Sequence, residues 1–376
     1  MLSPRALLPG GFRDRLPPEA EAAASLLRTI VDVCTSHGYE RVQPPIVEAE
    51  ISIAQWLGKP PGMALFRSPD PATGEALALR PDITGQIARI AATRLAEAPR
   101  PLRLAYAGQV ARARGTQLAP ERERTQAGAE LIGADSVAAM AEIISVAAEA
   151  LTAAGVTNLS VDLTLPELVP ALTRGDWPVA DAAAVIAALD SKDDGALTEL
   201  GAERYAALLE AAGPAETALP RLLATGLAPD LLARLQRLVA ALPQLTITID
   251  PTERHGFEYQ SWVGFSLFGH ANGAALRSEI GRGGAYAVRH ADGHAEAAAG
   301  FSLYIDALVD AGLGAVQRRR CFLPPGCDAS VGAALRADGW ATVAALSPAD
   351  NGAGCTHYWN GTTPVTRALF DHIDPP

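Results

Sequence analysis

Two short stretches hold the residues best placed to do chemistry. Leu79-Arg80-Pro81-Asp82-Ile83-Thr84 puts an acid just after an Arg-Pro turn, and Gln126-Ala127-Gly128-Ala129-Glu130 spaces an amide, a glycine and a second acid two residues apart. An ammonium group has three donors and one positive charge, which two carboxylates and an amide oxygen can satisfy. Asp82, Gln126 and Glu130, with Thr84 beside them, are therefore candidates to hold the ammonium of an amino acid. Plainer roles are open to both acids. Asp82 can cap the helix that follows it, and Glu130 can form a surface ion pair.

These residues need a frame. Apolar residues recur at helical spacing from Pro18 to about His37, where Gly38 stops the helix. Ala76–Leu79 reads as a short strand entering the Arg-Pro turn, and residues 84–95 as a helix. Leu102–Gln109 and Arg124–Gly133 read as strands, the second placing Gln126, Gly128 and Glu130 on one face. An Ala-rich helix follows, with Ser136 as its N-cap. After a strand at Val156–Leu163, residues from about 165 to 242 form a helical insertion with breaks at Gly175, Gly195, Gly213 and Pro220. Leu245–Ile249, Ser261–Phe268 and Ser278–Val288 resume the sheet, and Ala297–Ala311 reads as a helix. Hairpins and long excursions, rather than regular βαβ units, predict an α+β fold with a mixed, mostly antiparallel sheet flanked by helices. The expected organisation is one domain over 1–318 and a small β-α-β unit over 319–376.

Composition excludes some functions. The chain carries 31 Lys+Arg against 42 Asp+Glu, a net charge of −11. That lacks the field of a dedicated nucleic-acid binder and argues against tRNA as a main ligand. No run of about 18 apolar residues predicts a membrane span, and the opening Met1-Leu2-Ser3-Pro4-Arg5 has no signal-peptide pattern. Cys34, Cys321, Cys327 and Cys355 show no CxxC spacing. A cytoplasmic protein with reduced thiols is expected, without metal or cofactor. Cys321, Cys327, Cys355 and His357 lack the close pairing usual for structural zinc.

These motifs resemble histidyl-tRNA synthetase, and more closely its non-catalytic paralogues, the regulatory subunits of ATP phosphoribosyltransferase. The likeness runs from Pro9 to about Leu308. It takes in Leu8-Pro9-Gly10-Gly11-Phe12-Arg13-Asp14, the Arg-Pro-Asp turn, the Arg112 strand and the Gln-x-Gly-x-Glu strand. The segment around Tyr259, Gly281-Arg282-Gly283-Gly284, and the Gly300-Phe301 segment complete it.

The resemblance implies a class II aminoacyl-tRNA synthetase-like fold and a histidine pocket. Asp82, Gln126 and Glu130 would hold the α-ammonium and Arg112 would contact the carboxylate. Tyr259 would touch the imidazole, with His255 and Gln260 as further donors or acceptors. The departures point away from catalysis. The glutamate expected two residues after Arg112 is Arg114, and the arginines expected before Gly256 and in the last motif are His255 and Ala307. Adenylation must stabilise a multiply charged phosphate, and each lost cation would cost roughly 3 kcal/mol. The resemblance therefore implies a regulatory subunit that activates a short-form catalytic phosphoribosyltransferase and senses histidine for feedback inhibition. It would be a homodimer within a hetero-oligomer. A divergent histidyl-tRNA synthetase, or a paralogue adenylating another amino acid, is the alternative.

Overall fold

The computed structural model describes residues 8–56, 65–115, 120–253, 260–290, 292–316 and 318–367. The chain divides into two compact units, Met1–Ala315 and Val316–Pro376.

The larger unit is organised by a ten-stranded mixed sheet. Its middle is antiparallel. Leu102–Ala111, Glu123–Ile132, Ala295–Tyr304, Gly281–Arg289, Gln260–Ala271 and Thr157–Thr164 lie side by side in that order. Parallel neighbours flank them, Glu40–Arg41 beside the first and Thr246–Asp250 beside the last. The mixed, mostly antiparallel sheet expected from sequence is the one observed.

Period-two alternation gives this sheet two different faces. Ala127, Ala129 and Leu131 enter the main core together with Ala105, Ala285, Ala299 and Phe301. The helices Glu19–Ser36 and Val137–Ala153 contribute Leu26, Ile30, Met140 and Ile143 to the same core. Ser136 caps the second helix, its side chain accepting from the Ala139 N–H at 3.2 Å. Gln126, Gly128 and Glu130 occupy the opposite face. There the helix Thr84–Thr93 packs through Ile87 and Ala91, with Ile83 just before it, onto Leu104, Val110 and Ile132. Both faces are covered, so exposure does not alternate along this strand: Thr125 to Ile132 are all buried.

Two expectations fail locally. Residues 297–311 are not one helix but the strand Ala295–Tyr304 running into the short helix Ile305–Asp310. Alanine favours helices, but by under 1 kcal/mol per residue against most alternatives. Here the segment is a central strand, paired with Glu123–Ile132 on one side and Gly281–Arg289 on the other. The glycine-rich run from Gly281 lies inside the strand Gly281–Arg289, within the stretch Ser278–Val288 expected to be a strand. In the insertion, Gly195 and Pro220 sit within the helices Asp194–Glu199 and Ala215–Ala224 and do not break them. The insertion itself is a series of short helices from Leu168–Arg174 to Pro229–Ala240.

The smaller unit has a four-stranded sheet in the order Ala341–Ala344, Arg320–Leu323, His357–Trp359, Pro364–Thr366. The helix Ala329–Ala337 connects the parallel pair Arg320–Leu323 and Ala341–Ala344. Asn360 accepts from the Thr362 and Thr363 N–H groups and turns the chain into the last strand.

Candidate ligand-binding site

Arg80 builds the turn that presents Asp82. It is 6% exposed, and its guanidinium donates to the carbonyls of Gln109 at 2.7 Å and Pro44 at 3.0 Å and to Gln86 Oε1 at 3.3 Å. Gly108 makes room for it, since a Cβ there would lie 2.2 Å from Arg80 Nη2. Pro81 restrains the backbone next to this anchor. Asp82 follows with both oxygens engaged. Oδ1 accepts from the Thr84 N–H at 2.8 Å, and Oδ2 from Gln126 Nε2 at 2.9 Å. One carboxylate thus satisfies the first N–H of the helix Thr84–Thr93, whose N-cap position is Ile83, and fixes the Gln126 amide.

Strand register places Glu130. Leu104, Glu130, Gly300, Gly284, Gly264 and Thr164 are successive cross-strand partners in one row. Three consecutive members are glycines, and side chains lie over them. A Cβ on Gly300 would lie 1.6 Å from Glu130 Oε2, and one on Gly264 would lie 2.5 Å from Gln260 Oε1. A second row, Tyr106, Gly128, Ser302, Arg282 and Ser266, runs beside the first. Together the rows floor a small cleft of about 30 Å³, partly open to solvent, bordered by Asp82, Thr84, Glu130, Gln260, Arg282 and Tyr286.

Glu130 is 1% exposed and is not a surface ion pair. Tyr286 donates to its Oε2 at 2.8 Å and Tyr106 to its Oε1 at 3.3 Å. Burial raises its pKa to about 8, with the neighbouring charge of Asp82 adding to the rise and the two tyrosine hydrogen bonds opposing it. Tyr106 is itself pushed well above its usual range, first by burial and then by Glu130 and Asp82. Its hydroxyl also meets Ser302 Oγ at 2.7 Å and the Phe301 carbonyl at 3.2 Å.

The other expected residues fall in different places. Gln126 does not border the cleft. Its amide nitrogen holds Asp82, and its oxygen accepts from the Ile83 N–H at 3.3 Å. Arg112 does not border the cleft either. Its backbone pairs with Arg122, and its charge is felt at Arg124 and Tyr304. Gln260 borders the cleft, donating to the Gly283 carbonyl at 2.9 Å. His255 and Tyr259 lie outside the described residues. Ala307 packs against the main core from the helix Ile305–Asp310. Tyr106, Tyr286 and Ser302 escaped the sequence reading, and Arg282 entered it only within its glycine-rich motif, because only strand pairing brings them near Glu130. Among the described residues no group of three or more His, Cys, Asp or Glu side chains is arranged to hold a metal ion, and no helix is long and apolar enough to cross a membrane.

The histidyl-tRNA synthetase family model matches residues 11–308. ATP phosphoribosyltransferase regulatory subunits of Paramagnetospirillum magneticum and Rhodospirillum centenum are 45% and 43% identical to this chain, over 92% and 95% of both partners' lengths. The chain belongs to the family of ATP phosphoribosyltransferase regulatory subunits. A solved Bacillus halodurans structure described as an ATP phosphoribosyltransferase regulatory subunit/histidyl-tRNA synthetase matches with a TM-score of 0.79 and 26% identity, over 93% of this chain and 96% of that one. The fold is thus that of the class II histidyl-tRNA synthetases, as the motifs implied.

Proposed function

We propose that this chain is a non-catalytic regulatory subunit that activates a short-form ATP phosphoribosyltransferase and senses histidine for feedback inhibition in the first step of histidine biosynthesis. It works in the cytoplasm, as a homodimer within a hetero-oligomer. The observation that carries the reading is the charge balance of the cleft. Among the described residues, two acids, Asp82 and Glu130, border it, and the cation there, Arg282, is paired with Glu279. Such a lining favours a small molecule bearing N–H donors over the phosphates of ATP. The names of the relatives support the regulatory role and the catalytic partner.

Histidine fits the two acids at separate points. Asp82 is half-buried beside Thr84, while Glu130 lies on the floor against Gly300. Gln126 is spent on orienting Asp82. The ammonium therefore belongs at Asp82, and a ring N–H reaches Glu130. This divides between two ends of the ligand the contacts that the resemblance gathered on the amine.

Gel filtration and rate measurements with the short catalytic subunit of the same genome test the reading. Co-elution at micromolar concentration and a higher rate on mixing support it. Separate elution with an unchanged rate would overturn it. Histidine-dependent pyrophosphate exchange by the chain alone would instead favour a divergent synthetase.

A further inference from the structure

We propose that Glu130 gives a proton to the ligand's ring on binding, so that the ring is held as a cation against the Glu130 carboxylate and the site selects a basic azole. The inference deepens the histidine reading and rests on it.

The carboxyl group of Glu130 is buried without a cation of its own. Among the described residues its oxygens meet hydroxyls alone: Tyr106 from Leu102–Ala111, Tyr286 from Gly281–Arg289, and Thr84 from the start of the helix Thr84–Thr93. The strand beside it, Ala295–Tyr304, brings Gly300 beneath the carboxyl and adds no charge there. Of the other charged side chains on the cleft border, Asp82 is an acid and Arg282 is ion-paired with Glu279. A buried carboxylate with no counter-charge is costly. In the empty cleft the group therefore keeps its proton near neutral pH, in line with its pKa of about 8.

An imidazole ring has the complementary need. Near neutral pH it is mostly uncharged, with a pKa of about 6.5, and offers one bare nitrogen. On binding, the O–H bond at Glu130 breaks and an N–H bond forms at that nitrogen. No proton enters or leaves the solvent. The N–H that reaches Glu130 is thus made by its own proton. With the two groups apart the transfer runs uphill by about 1.5 pKa units, roughly 30-fold. Two features of the cleft offset this. The ligand's ammonium at Asp82 cancels a negative charge that helps to hold the proton on Glu130. The new cation and carboxylate also share a charge-assisted hydrogen bond, worth roughly 10- to 150-fold. Hydroxyls of Tyr106 and Tyr286 already donate to the carboxyl oxygens and stabilise the charge once it forms.

Nitrogen-15 NMR of ring-labelled histidine bound to the wild-type protein at pH 7 tests the assignment without a variant. A cationic ring shows two nitrogens of similar shift, whereas a neutral ring has one moved far downfield. Bound histidine should show the first pattern, although free histidine at that pH is mostly neutral. Calorimetry in buffers of different ionisation enthalpy should give nearly the same heat, because the proton comes from Glu130. The 1,2,4-triazole analogue of histidine keeps the ring shape and an N–H but is a far weaker base. It should bind wild type roughly 10- to 150-fold less tightly than histidine. Glu130→Gln has no proton to give, and should lose that preference and leave bound histidine with a neutral ring. The proposal is overturned if the bound ring is neutral in wild type, if a proton is drawn from solvent, if the ring stays cationic in Glu130→Gln, or if the triazole binds wild type as tightly as histidine. Wild type that binds no histidine would instead sink the histidine reading itself, and this inference with it.

Discussion

Replacing Glu130 with Gln should stabilise the ligand-free protein while weakening its response to histidine. The ordinary glutamate pKa is about 4.3, and in the fold Glu130 rises to about 8, chiefly through burial. A carboxyl raised in this way favours the folded state below pH 4, where both states are neutral. It loses that advantage as pH climbs towards 8, because the unfolded chain ionises first. At 1.36 kcal/mol per pKa unit, the loss is about 1 kcal/mol at pH 5 and about 3–4 kcal/mol at pH 7. Glutamine keeps the shape and one acceptor for the tyrosines and does not ionise. With about 2 cal/mol/K of unfolding entropy per residue, spread over the unit Met1–Ala315, the variant should melt roughly 5 °C higher at pH 7 and only 1–2 °C higher at pH 5. Scanning calorimetry from pH 5 to 8 reads this directly. Histidine at a concentration that saturates wild type should then raise its melting temperature by about 2 °C more than the variant's, the worth of a tenfold difference in affinity. A difference independent of pH, or a variant less stable than wild type at pH 7, would refute the view that this carboxyl is held against its solvation for the sake of a ligand.

Gly300→Ala should cost about 1–3 kcal/mol in urea unfolding, because the new methyl would meet both Glu130 Oε2 and, at 2.9 Å, the Ala129 carbonyl. An unchanged midpoint would show that Glu130 can leave its place over the glycine. Tyr106→Phe removes a hydrogen bond that favours the ionised form of Glu130, so the carboxyl should titrate at still higher pH. Site-specific NMR titration of Glu130 measures this, and a downward shift would contradict it. The chain alone should show no histidine-dependent pyrophosphate exchange above background, since the two expected cations are His255 and Ala307. Exchange that is abolished by Arg112→Ala would reverse that conclusion.

Much of the frame was legible because it follows local rules. The Arg-Pro turn, the Ser136 cap and the spacing of Gln126, Gly128 and Glu130 are read from neighbours in sequence. Ala295–Tyr304 misled because alanines signal helix, whereas its pairing with strands far along the chain decides its state. The site was legible only in part for the same reason. Glu130 stood out, but its surroundings are set by register. Gly300 gives it room, Tyr286 and Tyr106 hydrogen-bond it, and Arg282 lies across the floor. No spacing within one segment signals those meetings. Gln126 was correctly placed on the face of Glu130, yet whether its amide meets a ligand or Asp82 depends on where the turn at Arg80 sets that acid.

The most direct test is the rate of the short catalytic subunit, measured with this chain present while histidine is titrated in, for wild type and for Glu130→Gln. The account predicts that both forms raise the basal rate, that histidine then inhibits the wild-type mixture, and that the Glu130→Gln mixture is inhibited only at histidine concentrations higher by tenfold or more. A catalytic subunit indifferent to this chain, or equal inhibition in both mixtures, would contradict it.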